Sequence, residues 1–202
     1  MSNKQFLALP VTGDTFAEVR EKNRYYVDKT PYLKQVFSED EAVDENSLID
    51  GTTVLFLTRP RRFGKTMLMN MFESFLNINY EKPGDTSIQD NFFKEYMGQF
   101  PVISITLKDV LGDSYEDAYF QLAGIVADKV NEFGFLKDSP ALNDDDKDTL
   151  SKLSNKDFLI KSSAQTRYYI TKAIASLSLM LYKHFNKQVY VLIDEYDVPL
   201  AK

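Results

Sequence analysis

Two stretches of this chain bring together residue types that can do chemistry in combination. The first is Arg59-Pro60-Arg61-Arg62-Phe63-Gly64-Lys65-Thr66. Glycine lets a backbone approach a bound group closely, a lysine ammonium reaches the β- and γ-phosphates of a nucleotide, and a threonine hydroxyl can enter the shell of Mg2+. The amides from Phe63 to Thr66 are therefore a candidate phosphate cradle, to which Arg61 and Arg62 can add charge-assisted contacts. The second stretch is Asp194-Glu195, at the end of the apolar run Val189-Tyr190-Val191-Leu192-Ile193. Four apolar residues and then Asp form a Walker B pattern. The strand carries the Asp194 carboxylate to Mg2+, and Glu195, projecting differently, can polarise an attacking water.

Each stretch needs particular elements around it. The apolar run Thr53-Val54-Leu55-Phe56-Leu57 precedes the basic loop and reads as a strand covered on both faces. Leu68, Met71, Phe72, Phe75 and Leu76 follow at helical spacing, so a helix is expected from near Lys65. Strand, loop and helix in that order are what a P-loop requires. The loop departs from G-x-x-x-x-G-K-[ST] at its first position, where Arg59 replaces glycine, and Pro60 removes one amide donor. A basic turn over a buried helix has the same local composition, and acids commonly end strands at a solvent edge. Both motifs in the correct chain order, about 130 residues apart, favour the nucleotide site over two coincidences.

Further strands are expected at Pro101–Leu107 and, as an edge strand or loop, at Arg24–Val27. Helices are expected from the Thr30-Pro31 start, from Ser114 with Asp117 three residues on, and over Ala164–Phe185. Asn143–Asp148 reads as a solvated acidic loop leading into a short helix. Strands alternating with helices predict an α/β fold with a mainly parallel sheet.

The chain has 202 residues, a net charge of −6 and no cysteine. Disulfide frameworks, thiolate zinc sites and cysteine nucleophiles are excluded. His184 is the single histidine, which removes any mechanism needing two, and its place near a helix end beside Lys183 and Lys187 reads as a surface position. The acidic balance argues against a broad basic nucleic-acid surface. No run approaches 18 apolar residues and the N-terminal apolar stretch is too short for a signal peptide, so the expectation is a cytoplasmic protein with no membrane partner.

The combination resembles the AAA-ATPase-like family, predicted P-loop ATPases of bacteria and archaea that are often followed by a restriction-endonuclease-like nuclease domain. The resemblance rests on Tyr25-Tyr26-Val27-Asp28-Lys29-Thr30, on Leu57 to Thr66 and on Leu192-Ile193-Asp194-Glu195-Tyr196-Asp197, and covers nearly the whole chain. It makes the absent first glycine a family trait. It implies a P-loop three-layer sandwich binding ATP and Mg2+, with Lys65 and Glu195 as the catalytic residues and Thr66 and Asp194 as the metal ligands. Residues 1–50 are expected to pack on an ATPase core spanning 51–202. The family points to a nuclease-like partner domain, without support from the charge for nucleic acid, and is silent on oligomeric state. The rival class is a nucleotide-gated switch without turnover of its own. Because the Walker B strand ends so near Lys202, a longer protein is expected to supply the sensor strand and arginine finger, leaving this portion with weak turnover alone. Tyr25 and Tyr26 are possible adenine platforms, but core packing and a cap at Thr30 are the stronger reading for that block.

Overall fold

The computed structural model describes residues 8–10, 15–37, 54, 63–79 and 91–198. The elements are α1 (Phe16–Glu21), α2 (Pro31–Phe37), α3 (Lys65–Leu76), α4 (Asn91–Tyr96), β1 (Val102–Thr106), α5 (Tyr115–Glu132), α6 (Asp144–Ser154), α7 (Lys156–Leu159), α8 (Ala164–Phe185) and β2 (Tyr190–Asp194). A 3-10 helix at Gly134–Asp138 joins α5 to the loop before α6. Mixed helix and strand with a parallel sheet agrees with the expected α/β class. Among the described residues that sheet has two strands, which do not by themselves make the expected three-layer sandwich. The strand expected at 53–57 lies outside the described residues, apart from Val54, which is exposed.

The two strands run parallel in the register Val102↔Tyr190 to Thr106↔Asp194. Alternation along β1 sorts its side chains between two cores. Ile103 and Ile105 face α5 and α8, where Ala123, Val126, Ala127, Val130, Leu177 and Leu181 pack against them. Val102 faces the other way and, with Tyr190 and Leu192 of β2, packs against Leu68, Met71, Phe72, Phe75 and Leu76 of α3. Leu33 of α2 and, at its margin, Phe16 of α1 join that second core. The cover is thinner over β2, where Val191 and Ile193 are 37% and 43% exposed.

Local signals set most helix starts. The Ser114 hydroxyl accepts from the Asp117 N–H at 3.1 Å, capping α5. Helix α8 begins after Ser163, which accepts from the Thr166 N–H at 3.2 Å, and ends at Asn186 in a left-handed conformation. The acidic stretch is the first turn of α6 rather than a loop before it. Asn143 caps it and Asp146 closes a capping box, so Asp144, Asp145 and Asp146 sit at the positive end of the helix dipole. Arg24–Val27 forms no strand and is tied down by the Tyr25 N–H donating to the Ala8 carbonyl at 2.8 Å. His184 is half-buried instead of lying on the surface: Nδ1 is 2.8 Å from Ser139 Oγ and the ring packs on Phe135 and Phe185.

Candidate functional site

Helix α3 starts differently from its neighbours. Thr15, Ser114, Asn143, Asn155 and Ser163 each lend a side-chain oxygen to the first turn of a helix, whereas α3 starts from Gly64. Gly64 has no side chain to accept those N–H groups and lies at φ 73°, ψ 37°, a left-handed conformation that glycine adopts at no steric cost. The first turn holds no acid. Its amides and the positive dipole end are left for an anion from outside the helix. Lys65, the first helical residue, is half-buried and, among the described residues, is in no ion pair. Phe63 is 62% exposed, and Arg61 and Arg62 lie outside the described residues.

The second motif meets the first across β2. The Thr66 hydroxyl donates to Asp194 Oδ2 at 2.6 Å, joining residues 128 positions apart. The other oxygen, Oδ1, accepts from the Glu195 N–H at 3.0 Å. The Asp194 carbonyl accepts from the Leu107 N–H at 3.0 Å, which anchors the strand end that carries the carboxylate. Glu195 sits at φ 53°, a left-handed conformation that costs a non-glycine residue about 1–2 kcal/mol. That turn takes Glu195 off the strand line, and the Val198 N–H closes it on the Glu195 carbonyl at 3.1 Å. Asp197 is an exposed residue inside this turn.

The block before α2 belongs to the same neighbourhood. Tyr26 is half-buried, its ring edge-on to Phe16 at 5.3 Å and its hydroxyl donating to Met71 Sδ at 3.1 Å. Burial raises its pKa. That ring packs at the margin of the second core, in line with core packing for this block, while Tyr25 is 51% exposed. The Thr30 hydroxyl, at the start of α2, donates to Asp28 Oδ1 at 2.6 Å, and the Thr30 N–H donates to the same oxygen at 2.9 Å. Those two bonds hold the Asp28 carboxyl below the usual carboxylate range, the hydroxyl contributing most. Lys29 lies between them, a member of the Tyr25–Thr30 block to which the sequence assigns no role of its own. Its ammonium donates to the carbonyls of Phe63 and Gly64 at 3.1 and 3.2 Å. The only signal pointing to it was its place in the Tyr25–Thr30 block, because spacing says nothing of a contact 35 residues away.

Two hard oxygen donors held together at Thr66 and Asp194 fit a small divalent cation such as Mg2+, which takes oxygen ligands and keeps several waters. Among the described residues no group of three or more His, Asp or Glu could hold a metal alone.

Among the described residues no helix is long and apolar enough to cross a membrane. The chain is 32% identical over 107 residues to an uncharacterized protein in the vnfD 5' region of Azotobacter chroococcum mcd 1, covering 52% of this chain and 17% of that protein. This chain therefore spans less than a fifth of that relative's length. No solved structure matches it. The sequence model of a family described as a predicted AAA-ATPase matches residues 10–202. With nearly its whole length matched, this chain belongs to the AAA-ATPase-like family.

Proposed function

We propose that this chain is an ATP- and Mg2+-binding P-loop domain whose reaction is transfer of the γ-phosphoryl group to water. The observation that carries the reading is the 2.6 Å hydrogen bond from Thr66 to Asp194, which unites the helix after the glycine with the strand-end acid. The left-handed, uncapped start of α3 beside it supports the same assignment. The sheet's parallel register and its packing on both faces are what a P-loop three-layer sandwich would need at this point. The contribution of Phe16, Tyr26 and Leu33 to the α3 core supports residues 1–50 as a segment packed on an ATPase core from 51 onward.

In this mechanism the amides of Gly64, Lys65 and Thr66, with Arg61 and Arg62, hold the phosphates, and the Lys65 ammonium stabilises charge gathering on the transferred group. Thr66 and Asp194 would hold Mg2+, which when bound neutralises charge across the β- and γ-phosphates. Glu195 orients a water and takes its proton as the water oxygen bonds to the γ-phosphorus. The bond to the bridging oxygen breaks and ADP leaves with that electron pair.

The test is ATP affinity and steady-state hydrolysis for the wild type, Lys65→Ala and Glu195→Gln. Lys65→Ala should weaken ATP binding about tenfold or more, the worth of a lost charge-assisted contact. Glu195→Gln should bind ATP normally and hydrolyse it about a hundredfold more slowly or worse. Equal affinity in wild type and Lys65→Ala refutes the phosphate site. Normal binding with no hydrolysis for Glu195→Gln to abolish identifies a nucleotide-gated switch instead.

A further inference from the structure

The Lys29 ammonium sits against the start of α3, where two of its N–H bonds reach the carbonyls of Phe63 and Gly64. Its backbone is held from both sides. The Lys29 N–H donates to the Tyr26 hydroxyl at 3.3 Å, and Asp28 binds Thr30 directly after it. Tyr26 in turn bonds to Met71 of α3, so the segment carrying Lys29 is registered against the helix it touches.

Peptide geometry gives these contacts a consequence. In a trans peptide the C=O and N–H of one planar unit point in opposite directions. The Phe63 carbonyl shares its peptide with the Gly64 N–H, and the Gly64 carbonyl shares its peptide with the Lys65 N–H. The Gly64 carbonyl also accepts the Leu68 N–H at 3.0 Å as the first bond of α3, so the ammonium reinforces a direction the helix already gives the Lys65 N–H, while its bond to the Phe63 carbonyl turns the Gly64 N–H to the opposite side. Withdrawing electron density through the carbonyls also makes those N–H groups stronger donors. We propose that Lys29 is a positioning residue of the nucleotide site, orienting and polarising the Gly64 and Lys65 amides toward phosphate, a role that rests on phosphate binding at α3. Lys29 acts from behind the loop through the backbone and need not touch the nucleotide.

The experiment uses the 202-residue chain with Lys29→Met, which removes the ammonium and keeps most of the stem, Lys29→Gln, which is neutral and one bond shorter, and Lys29→Arg. Affinity for fluorescent mant-ADP is measured beside the amide resonances of Gly64 and Lys65 without ligand. Lys29→Met and Lys29→Gln should weaken mant-ADP about fivefold, the scale of losing two partly exposed bonds to an ammonium, and move both resonances. Lys29→Arg, which keeps charge and donors, should recover most of the affinity. Affinity within twofold of wild type in either neutral variant, or unmoved amide resonances, overturns the role. So does failure of Lys29→Arg to improve on Lys29→Gln. Lys65→Ala run in parallel separates the two readings. If it loses binding while Lys29→Met does not, the Lys29 role alone falls; if it binds like wild type, the phosphate site falls and the Lys29 role with it.

Discussion

Gly64→Ala tests the loop geometry and the Lys29 contact together. At φ +73° alanine carries the left-handed penalty of about 1–2 kcal/mol. Its Cβ would also stand 2.5 Å from Lys29 Nζ, with Lys29 Cε at 3.8 Å and Met67 Cβ at 3.9 Å. The ammonium is the far end of a flexible side chain, so it swings away and gives up its bonds to the Phe63 and Gly64 carbonyls. Because the site is partly exposed, those two bonds together are worth about 1 kcal/mol. The single substitution should therefore destabilise the chain by about 2–3 kcal/mol. In a Lys29→Met background the colliding atom is gone, and only the backbone penalty of about 1–2 kcal/mol remains. The double-mutant cycle should show coupling of about 1 kcal/mol, with the pair less damaging than the two single effects added. Urea unfolding followed by far-UV circular dichroism suits a protein with 12 tyrosines and no tryptophan. Additive substitutions would refute the contact, and a Gly64→Ala protein as stable as wild type would refute the left-handed start of α3.

Two further outcomes follow from the same geometry. Thr66→Val keeps the volume and deletes the hydroxyl, leaving Asp194 Oδ2 without its 2.6 Å donor. Stability should fall by only about 0.5–1.5 kcal/mol, while Mg2+ should lose its ability to tighten ATP binding, as read by titrations with and without Mg2+. Tyr190 gives an alkaline test: burial first, then Tyr96, pushes its pKa from 10.0 to about 12. Its neutral form is the one folding favours, so its contribution is intact below pH 10 and lost as pH rises from 10 through about 12. Thermal midpoints should decline across that window, and Tyr190→Phe, which cannot ionise, should flatten the decline.

Much of the fold was legible because its signals are local. Ser114 with Asp117, the Thr30-Pro31 start and the apolar stripe of Ala164–Phe185 each state a helix within a few residues, and α5, α2 and α8 begin where those signals stand. One boundary reads differently in the structure because neighbouring groups compete for the same signal. The acids at Asp144–Asp146 look like a loop by composition, yet they are favoured inside a helix start because the dipole and Asn143 stabilise them there. His184 read as exposed because no local pattern announces the Phe135 and Ser139 side chains that come over it.

The sequence by itself determined the chemical vocabulary of this protein: a glycine before a lysine and a threonine at a helix start, and an acid pair ending an apolar strand. Residue type and short-range spacing settle those features, since caps, periodicity and backbone freedom act over a few residues. Tertiary structure alone decided which groups meet. It closed 128 residues of chain to set the Thr66 hydroxyl on Asp194, and it brought the Lys29 ammonium behind the loop from 35 residues upstream. Those contacts depend on packing β1 and β2 side by side and on seating Tyr26 against Met71. Distances between such elements come from how the whole core fills space, and no short window of sequence encodes them.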